Sequence, residues 1–250
     1  MPAKGAVDVE VAAPRTSGAI RIEGAAKAFG VVAAIEDVTL AAAPGETVAV
    51  VGPSGCGKTT LLELVCGLQA ADRGEVRAPG AALMPQRDLL LPWATALDNA
   101  ALPLRLAGVP RERARDRARP LLDAFGLAGF ERARPHELSG GMRQRVAFLR
   151  TLLAGKPVLC LDEPFAALDA LTRQDMQAWL ADALGREPRT VLLVTHDVEE
   201  ALVLADRVVV LTPRPARVRA TLEVALVRPR QRTDPELVAL REQALEALRG

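Results

Sequence analysis

Residues 52–59 read Gly-Pro-Ser-Gly-Cys-Gly-Lys-Thr and fit the pattern G-x-x-x-x-G-K-[ST]. A turn of this kind, set between a strand and a helix, aims several backbone N–H groups at one point. Nothing inside the helix satisfies those donors, and the helix dipole adds partial positive charge there. A polyphosphate meets both needs. Gly52, Pro53, Ser54, Gly55, Cys56 and Gly57 form the turn. Lys58 brings a full charge to the β/γ-phosphates, and Thr59 offers a hydroxyl to Mg²⁺. Of 32 basic residues 28 are Arg, so one of only four Lys stands where a compact ammonium is wanted.

Further residues extend this chemistry. Val158–Leu161 runs into Asp162-Glu163-Pro164. Two acids at the end of a buried strand are uncomfortable unless something uses them. Beside a phosphate loop, Asp162 can join a Mg²⁺ shell and Glu163 can orient or deprotonate a water; in isolation the same pair reads as solvated loop acids. His196 follows the apolar run Val191–Val194, at a strand tip where ligands of open α/β sheets collect. A neutral imidazole there can hydrogen-bond a γ-phosphate or the water that attacks it. The other histidine, His136, reads as a surface or packing residue. Gln86 also follows a strand, and its amide oxygen can reach Mg²⁺. Ser139, Gly140 and Gly141 open another helix with free N–H groups, a second anion site. Two such sites in one chain imply two ligands, or a pair of chains that complete each other's sites.

The elements that must position these residues follow from pattern. An apolar strand, Thr47–Val51, precedes the glycine turn, and the helically spaced Leu61–Val65 follows it. Short alternating runs between Ile20 and Ala43 predict antiparallel strands, and Ala81–Met84 predicts another. From about Asp88 to Gly155 there is no strand pattern; helices are expected over Thr95–Leu106, Arg111–Phe125 and Ser139 to about Ala154. The arginine-rich start of the second reads as a solvated helix face. Strands resume at Val158–Leu161, Thr190–Thr195, Arg207–Leu211 and Val218–Val224. Helices are expected over Ala170–Leu184, Val198–Leu204 and Glu236–Leu248. Alternation of this kind predicts a parallel sheet covered on both faces. The expected fold is α/β: a P-loop NTPase core with an N-terminal antiparallel β subdomain and an inserted α-helical subdomain, about 88–155. Residues 1–17 are expected to be a flexible tail, and 18–250 a single ATPase domain.

Composition narrows the partners. The net charge of +1 provides no field for a polyanion, and 3% aromatics without Tyr argue against base stacking, so no nucleic-acid partner is expected. No run approaches the ~18 apolar residues of a membrane span. The start of the chain carries no signal-peptide pattern. Three cysteines suggest neither a disulfide framework nor a metal site, and fit a reducing cytosol.

In this order, these residues resemble the ATP-binding subunit of ABC transporters over about Ile20 to Leu211. The matching features are the P-loop at 52–59, the Q-loop Gln86, the signature Leu138-Ser139-Gly140-Gly141 and the acids 162–163. The D-loop Ala166-Ala167-Leu168-Asp169 and the H-loop His196 complete them. The resemblance implies ATP and Mg²⁺ as ligands, Thr60 as a further nucleotide contact, and Phe29 as the ring that stacks on adenine. It implies two copies bound head to tail, one chain's P-loop facing the other's signature across ATP. It also implies integral membrane permease subunits, indirectly an extracytoplasmic solute-binding protein, and a peripheral place on the cytoplasmic face of the inner membrane. Leu89-Leu90-Leu91-Pro92-Trp93, Ser139–Arg145 and Asp162–Phe165 resemble the nitrate/sulfonate/taurine importer group. Met84–Asp88 with Phe148–Thr151 also resembles members assigned to thiamine-precursor pyrimidines. Leu89–Leu91 and Trp93 are expected either to form a groove for a permease helix or to pack against Leu102–Leu106. Departures are Met142, where many relatives carry Gln, and Ala166, which replaces a frequent Ser or Gly. The chain ends soon after the core, so no regulatory sugar-importer domain is expected. The alternative readings are a non-transport ABC ATPase and a nucleotide-gated binding module with little turnover.

Overall fold

The structure is a computed structural model that describes residues 18–186 and 188–249; the expected tail, 1–17, lies outside them. The described chain divides into two compact units.

The first unit comprises residues 18–86, Lys156–Pro164 and 174–249. Its strands are β1 (Ile20–Phe29), β2 (Val32–Ala42), β3 (Thr47–Val51), β4 (Arg73–Arg77), β5 (Ala81–Met84), β6 (Val158–Asp162), β7 (Thr190–Thr195), β8 (Arg207–Leu211) and β9 (Val218–Glu223). The antiparallel pair expected before the glycine turn is β1 with β2. Pattern reading leaves out β4, Arg-Gly-Glu-Val-Arg, which pairs with the other side of β1. It is a mostly exposed edge strand with only Val76 half-buried between charged residues, so it has no apolar period to detect.

The larger sheet runs β5-β6-β7-β3-β8-β9. Strands β5, β6, β7, β3 and β8 are parallel, as alternation predicts. Strand β9 extends this sheet by pairing antiparallel with β8. Only a short connection separates the two, which permits a hairpin but not a parallel crossover. All residues of β3, β6 and β7 are buried, as strands covered on both faces must be. Helix α1 (Lys58–Val65) packs between the two sheets. Its Leu61 and Leu62 join Ile22 and Val38 of the small sheet with Val50 and Val194 of the large one in one core. The unit also contains α6 (Val198–Leu204) and α7 (Pro235–Arg249).

The second unit comprises Arg87–Gly155 and Phe165–Arg173. It holds α2 (Ala96–Leu106), α3 (Arg111–Ala124) and α4 (Gly140–Leu152), close to the expected spans. Helix α5 (Ala170–Arg186) begins in this unit and continues into the first. The Phe148 ring lies 5.8 Å from that of Phe125 and 6.1 Å from that of Phe165, so aromatic packing fastens α4 to the chain after β6. Thr95 caps α2, its hydroxyl accepting from Asp98 N at 3.1 Å.

The arginine-rich face of α3 is mostly solvated, with one exception that pattern does not reveal. Asp98 is buried on α2 and accepts from Arg115 through both carboxylate oxygens at 2.9 Å, and from Arg111 Nη2 at 2.9 Å. The Arg115 and Arg111 guanidiniums hold its carboxyl well below the usual carboxylate range. A depressed acid stabilises the fold fully above its unfolded pKa of ~3.9 and loses that contribution as pH falls below it. Asp98→Ala should cost about 2 kcal/mol at pH 7 by urea unfolding followed by circular dichroism, the half-exposed Arg111 adding little. The gap between the variant and the native chain should begin to shrink below pH 4 and keep shrinking as the pH is lowered further; a gap that does not change with pH would remove the ion pair as its cause.

Candidate functional site

Register places the chemistry along one edge of the large sheet. In the parallel ladder Val51 pairs with Thr195, Asp162 with Val194, and Met84 with Leu161. The glycine turn, the two acids, His196 and Gln86 therefore all emerge at the C-terminal ends of adjacent strands, where ligands of open α/β sheets collect.

The turn itself is tightly built. Gly57 has φ 125°, and a Cβ there would meet Ala34 O at 2.6 Å, so only glycine fits between the turn and β2. No side chain caps α1 and its first turn carries no acid, so its N–H groups have no anion from the protein. Lys58 is buried, and its Nζ donates to Gly52 O at 2.8 Å and Pro53 O at 2.9 Å. The ammonium is thus folded over the loop, and its charge reaches Asp162. Thr59 Oγ1 donates to Asp162 Oδ2 at 2.7 Å. Burial pushes the Asp162 carboxyl up, while the Thr59 hydroxyl and Lys58 pull the other way. A buried acid met by one hydroxyl is a site that suits a divalent cation.

Glu163 follows at φ 47°, a left-handed conformation that costs a non-glycine residue energy. Its N–H donates to Val194 O at 2.8 Å, which fixes the turn against β7. Its carboxylate is gripped from two sides: Gln86 Nε2 donates to Oε2 at 3.1 Å, and His196 Nδ1 lies 3.3 Å from Oε1. Gln86 therefore meets Glu163 through its amide nitrogen, leaving the amide oxygen for another partner. His196 meets the acid rather than any other polar group of the unit. Asp197, the next residue, caps α6 by accepting from Glu199 N and Glu200 N.

Phe29 stands at the end of β1, 46% exposed, with Lys27 Nζ 5.7 Å from its ring centre. Thr60 is half-buried in the first turn of α1. Ser139, Gly140 and Gly141 belong to the helical unit. Ser139 caps α4, its hydroxyl accepting from Met142 N at 3.2 Å. A Cβ on Gly141 would meet Leu168 Cδ2 at 3.3 Å, so this glycine lets α4 approach the segment before α5. Within the same unit, Arg143 Nε donates to Asp88 at 3.0 Å, and Arg150 donates to the carbonyls of Asp88 and Leu89 at 2.6 and 2.8 Å. Two arginines of α4 thereby hold the loop that follows Gln86. Leu89 and Trp93 on that loop are 61% and 72% exposed and Leu106 is exposed as well, whereas Leu90 is buried. Leu91 is half-buried.

Pattern reading missed Arg214. It lies in the loop after β8, and its Nε donates to Gly55 O at 3.0 Å, with Nη2 donating to the same oxygen. The N–H of the same peptide, that of Cys56, donates to Pro53 O at 3.2 Å, so the turn is held at this peptide from both sides. No spacing links Arg214 to the turn in the sequence; only the strand order brings β8 beside β3.

A glycine turn on a parallel sheet, with a threonine–aspartate pair and a gripped glutamate at its edge, defines a P-loop ATPase core. The chain belongs to the ABC transporter family, whose family model matches residues 35–166. It is 48% identical over 221 residues to the aliphatic sulfonates import ATP-binding protein SsuB 1 of Rhodococcus jostii, covering 86% of each chain. It is 44% identical over 229 residues to the taurine import ATP-binding protein TauB of Chromobacterium violaceum, covering 85% of this chain and 88% of that protein. With the formylaminopyrimidine import ATP-binding protein ThiZ of Halalkalibacterium halodurans it shares 47% identity over 184 residues, 72% of this chain and 74% of the other. Among solved structures it resembles the ADP- and Pi-bound, post-hydrolysis dimer of the ATP-binding cassette MJ0796. There the TM-score is 0.76 at 28% identity, over 83% of this chain and all of that one. No helix among the described residues is long and apolar enough to cross a membrane.

Loss of the fork on Gly55 should be felt in nucleotide binding. Arg214→Ala should raise the KM for ATP by roughly tenfold, the effect of about 1.4 kcal/mol, with a smaller change in kcat. Steady-state phosphate release measures both, and an unchanged KM would leave Arg214 a surface residue.

Proposed function

We propose that this chain is the ATP-hydrolysing subunit of an importer for a small solute of the sulfonate, taurine or thiamine-precursor type, the classes named for its relatives. Residues 18–250 act as one ATPase domain with the helical subdomain, about 88–155, inserted. The observation that carries this reading is the Glu163 carboxylate, held between Gln86 and His196 beside the Thr59–Asp162 pair.

In this reading Gly52–Thr60 cradle the phosphates with backbone N–H groups, Lys58 neutralises the β/γ oxygens, and Phe29 stacks on adenine. Thr59, Asp162 and the amide oxygen of Gln86 hold Mg²⁺, which supplies charge stabilisation for the γ-phosphoryl group. Glu163 orients the attacking water and takes its proton. His196 has two tasks: it fixes one Glu163 oxygen, and its ring is placed to feel the γ-phosphate. Ser139, Gly140 and Gly141 close the nucleotide site of a second copy, bound head to tail, so ATP joins two chains and its hydrolysis releases them. The exposed Leu89 and Trp93 accept a helix of an integral membrane permease subunit. The chain then lies peripherally on the cytoplasmic face of the membrane, and an extracytoplasmic solute-binding protein acts on it indirectly.

Glu163→Gln keeps the size and polarity of the side chain but removes the base. Turnover should fall by about 10²–10⁴, while ATP binding and ATP-dependent dimerisation persist. Wild-type turnover in a phosphate-release assay would take the role of base away from Glu163. Lys58→Ala and Ser139→Arg chains should each be inactive alone, and their mixture should regain activity, because one of the two sites in the mixed pair is intact. No recovery at any mixing ratio would refute the head-to-tail pair.

A further inference from the structure

Beside the Phe29 ring stands a lysine that is drawn out of water. Lys27, two residues earlier on β1, has a side chain only 14% exposed, with Nζ 5.7 Å from the ring centre. A lysine near a strand end ordinarily keeps its ammonium in solvent. Here the ammonium donates to Asp72 Oδ1 at 2.9 Å. Asp72 immediately precedes β4 and fastens the end of β1 by two further bonds. Its Oδ2 accepts from Ala28 N at 2.8 Å, and its N–H donates to Ala26 O at 2.8 Å. The Ala28 amide and the Lys27 ammonium hold the Asp72 carboxyl below its ordinary value, so the acid is ionised at neutral pH. One residue thus ties down Ala26, Lys27 and Ala28, the three that lead into Phe29. Register then sets the ring near the phosphate turn. Phe29 pairs with Val32, and Lys27 with Ile35, across β1 and β2. The same β2 lies against the turn, since a Cβ on Gly57 would meet Ala34 O at 2.6 Å and Ile35 Cγ1 at 3.3 Å. Val32 is two residues from Ala34, about 7 Å along an extended strand, which leaves room for a ribose between ring and turn.

We infer that Lys27 and Asp72 set the affinity for the nucleobase: Asp72 holds the Lys27 ammonium against one face of Phe29, and the purine stacks on the other, which rests on the reading of Phe29 as the adenine-stacking ring. The faces of an aromatic ring carry negative charge, and so do those of a purine, so two such faces repel when stacked. An ammonium on the far face draws π density toward itself and leaves the near face less negative. Asp72 is required because a free lysine head returns to water. Both residues act through the ring and are positioning residues for the base.

The test titrates the full chain calorimetrically with MgADP, which carries the base, and with magnesium pyrophosphate, which lacks it. Lys27→Met keeps the aliphatic stem and removes the charge. It should weaken MgADP binding about fivefold, while pyrophosphate affinity and kcat for ATP stay within twofold of the native values. Asp72→Ala should do the same, and the double variant should be no weaker than either, because both act through one ring. Lys27→Arg keeps a cation over the ring and should bind MgADP within twofold of the native chain. Unchanged pyrophosphate binding also reports that each variant is folded. Native MgADP affinity in Lys27→Met, or a loss in Lys27→Arg as large as in Lys27→Met, would take the ammonium out of base binding. An equal loss for pyrophosphate would move the effect to the phosphate turn, and losses that add in the double variant would separate Asp72 from Lys27; either overturns the shared role. Phe29→Ala separates this role from the stacking itself. Weakened MgADP binding there with native binding in Lys27→Met would leave the ring on the base without help from the lysine. Native MgADP binding in Phe29→Ala would remove the ring from the base and the lysine with it.

Discussion

Asp162 closes a strand whose five residues are all buried, and the partner it finds in the protein is one threonine hydroxyl. A carboxylate in that position is unfavourable unless a cation completes it. Opposite it, α1 opens with N–H groups that no side chain caps, and Lys58 rests on two carbonyls. The Lys58 charge reaches Asp162 and favours its ionised form, while the helix N–H groups are left without an anion. ATP supplies that anion, and the rest of the first unit keeps these groups facing each other. The buried strands β3, β6 and β7 set their spacing through ladder register, and the single core around α1 keeps the helix end from moving away.

How much of this is legible in the sequence depends on whether the signal is local. Buried parallel strands leave apolar runs of four to six residues, so β6, β7 and β8 can be read directly, as can the helices capped by Thr95, Ser139 and Asp197. Edge strands leave no such run, which hides β4. The residue types of the site are legible because each follows a strand. Their relations are not, since they arise from strand order. Gln86 and His196 lie on either side of Glu163 because β5 and β7 flank β6, and Arg214 reaches Gly55 because β8 flanks β3. The left-handed turn at Glu163 is also invisible, since nothing in Asp-Glu-Pro requires positive φ. The Asp98 ion pairs show the same limit: the arginines of α3 are countable, but the buried acid that selects two of them sits on another helix.

The grip on Glu163 starts from the loop that follows β5. Gln86 holds one carboxylate oxygen and is the last residue of its unit; the next residues belong to the loop that Arg143 and Arg150 fasten to α4. That same loop exposes Leu89 and Trp93, and that same helix carries Ser139–Gly141 at its start. Gln86 thus touches the Glu163 carboxylate, while the residues just after it are held to α4 by Arg143 and Arg150. Both Glu163 oxygens are met in this structure, one by Gln86 and one by His196. The strained backbone at Glu163 belongs to the same device, since a residue held by its N–H to Val194 O and by both carboxylate oxygens has little freedom to relax.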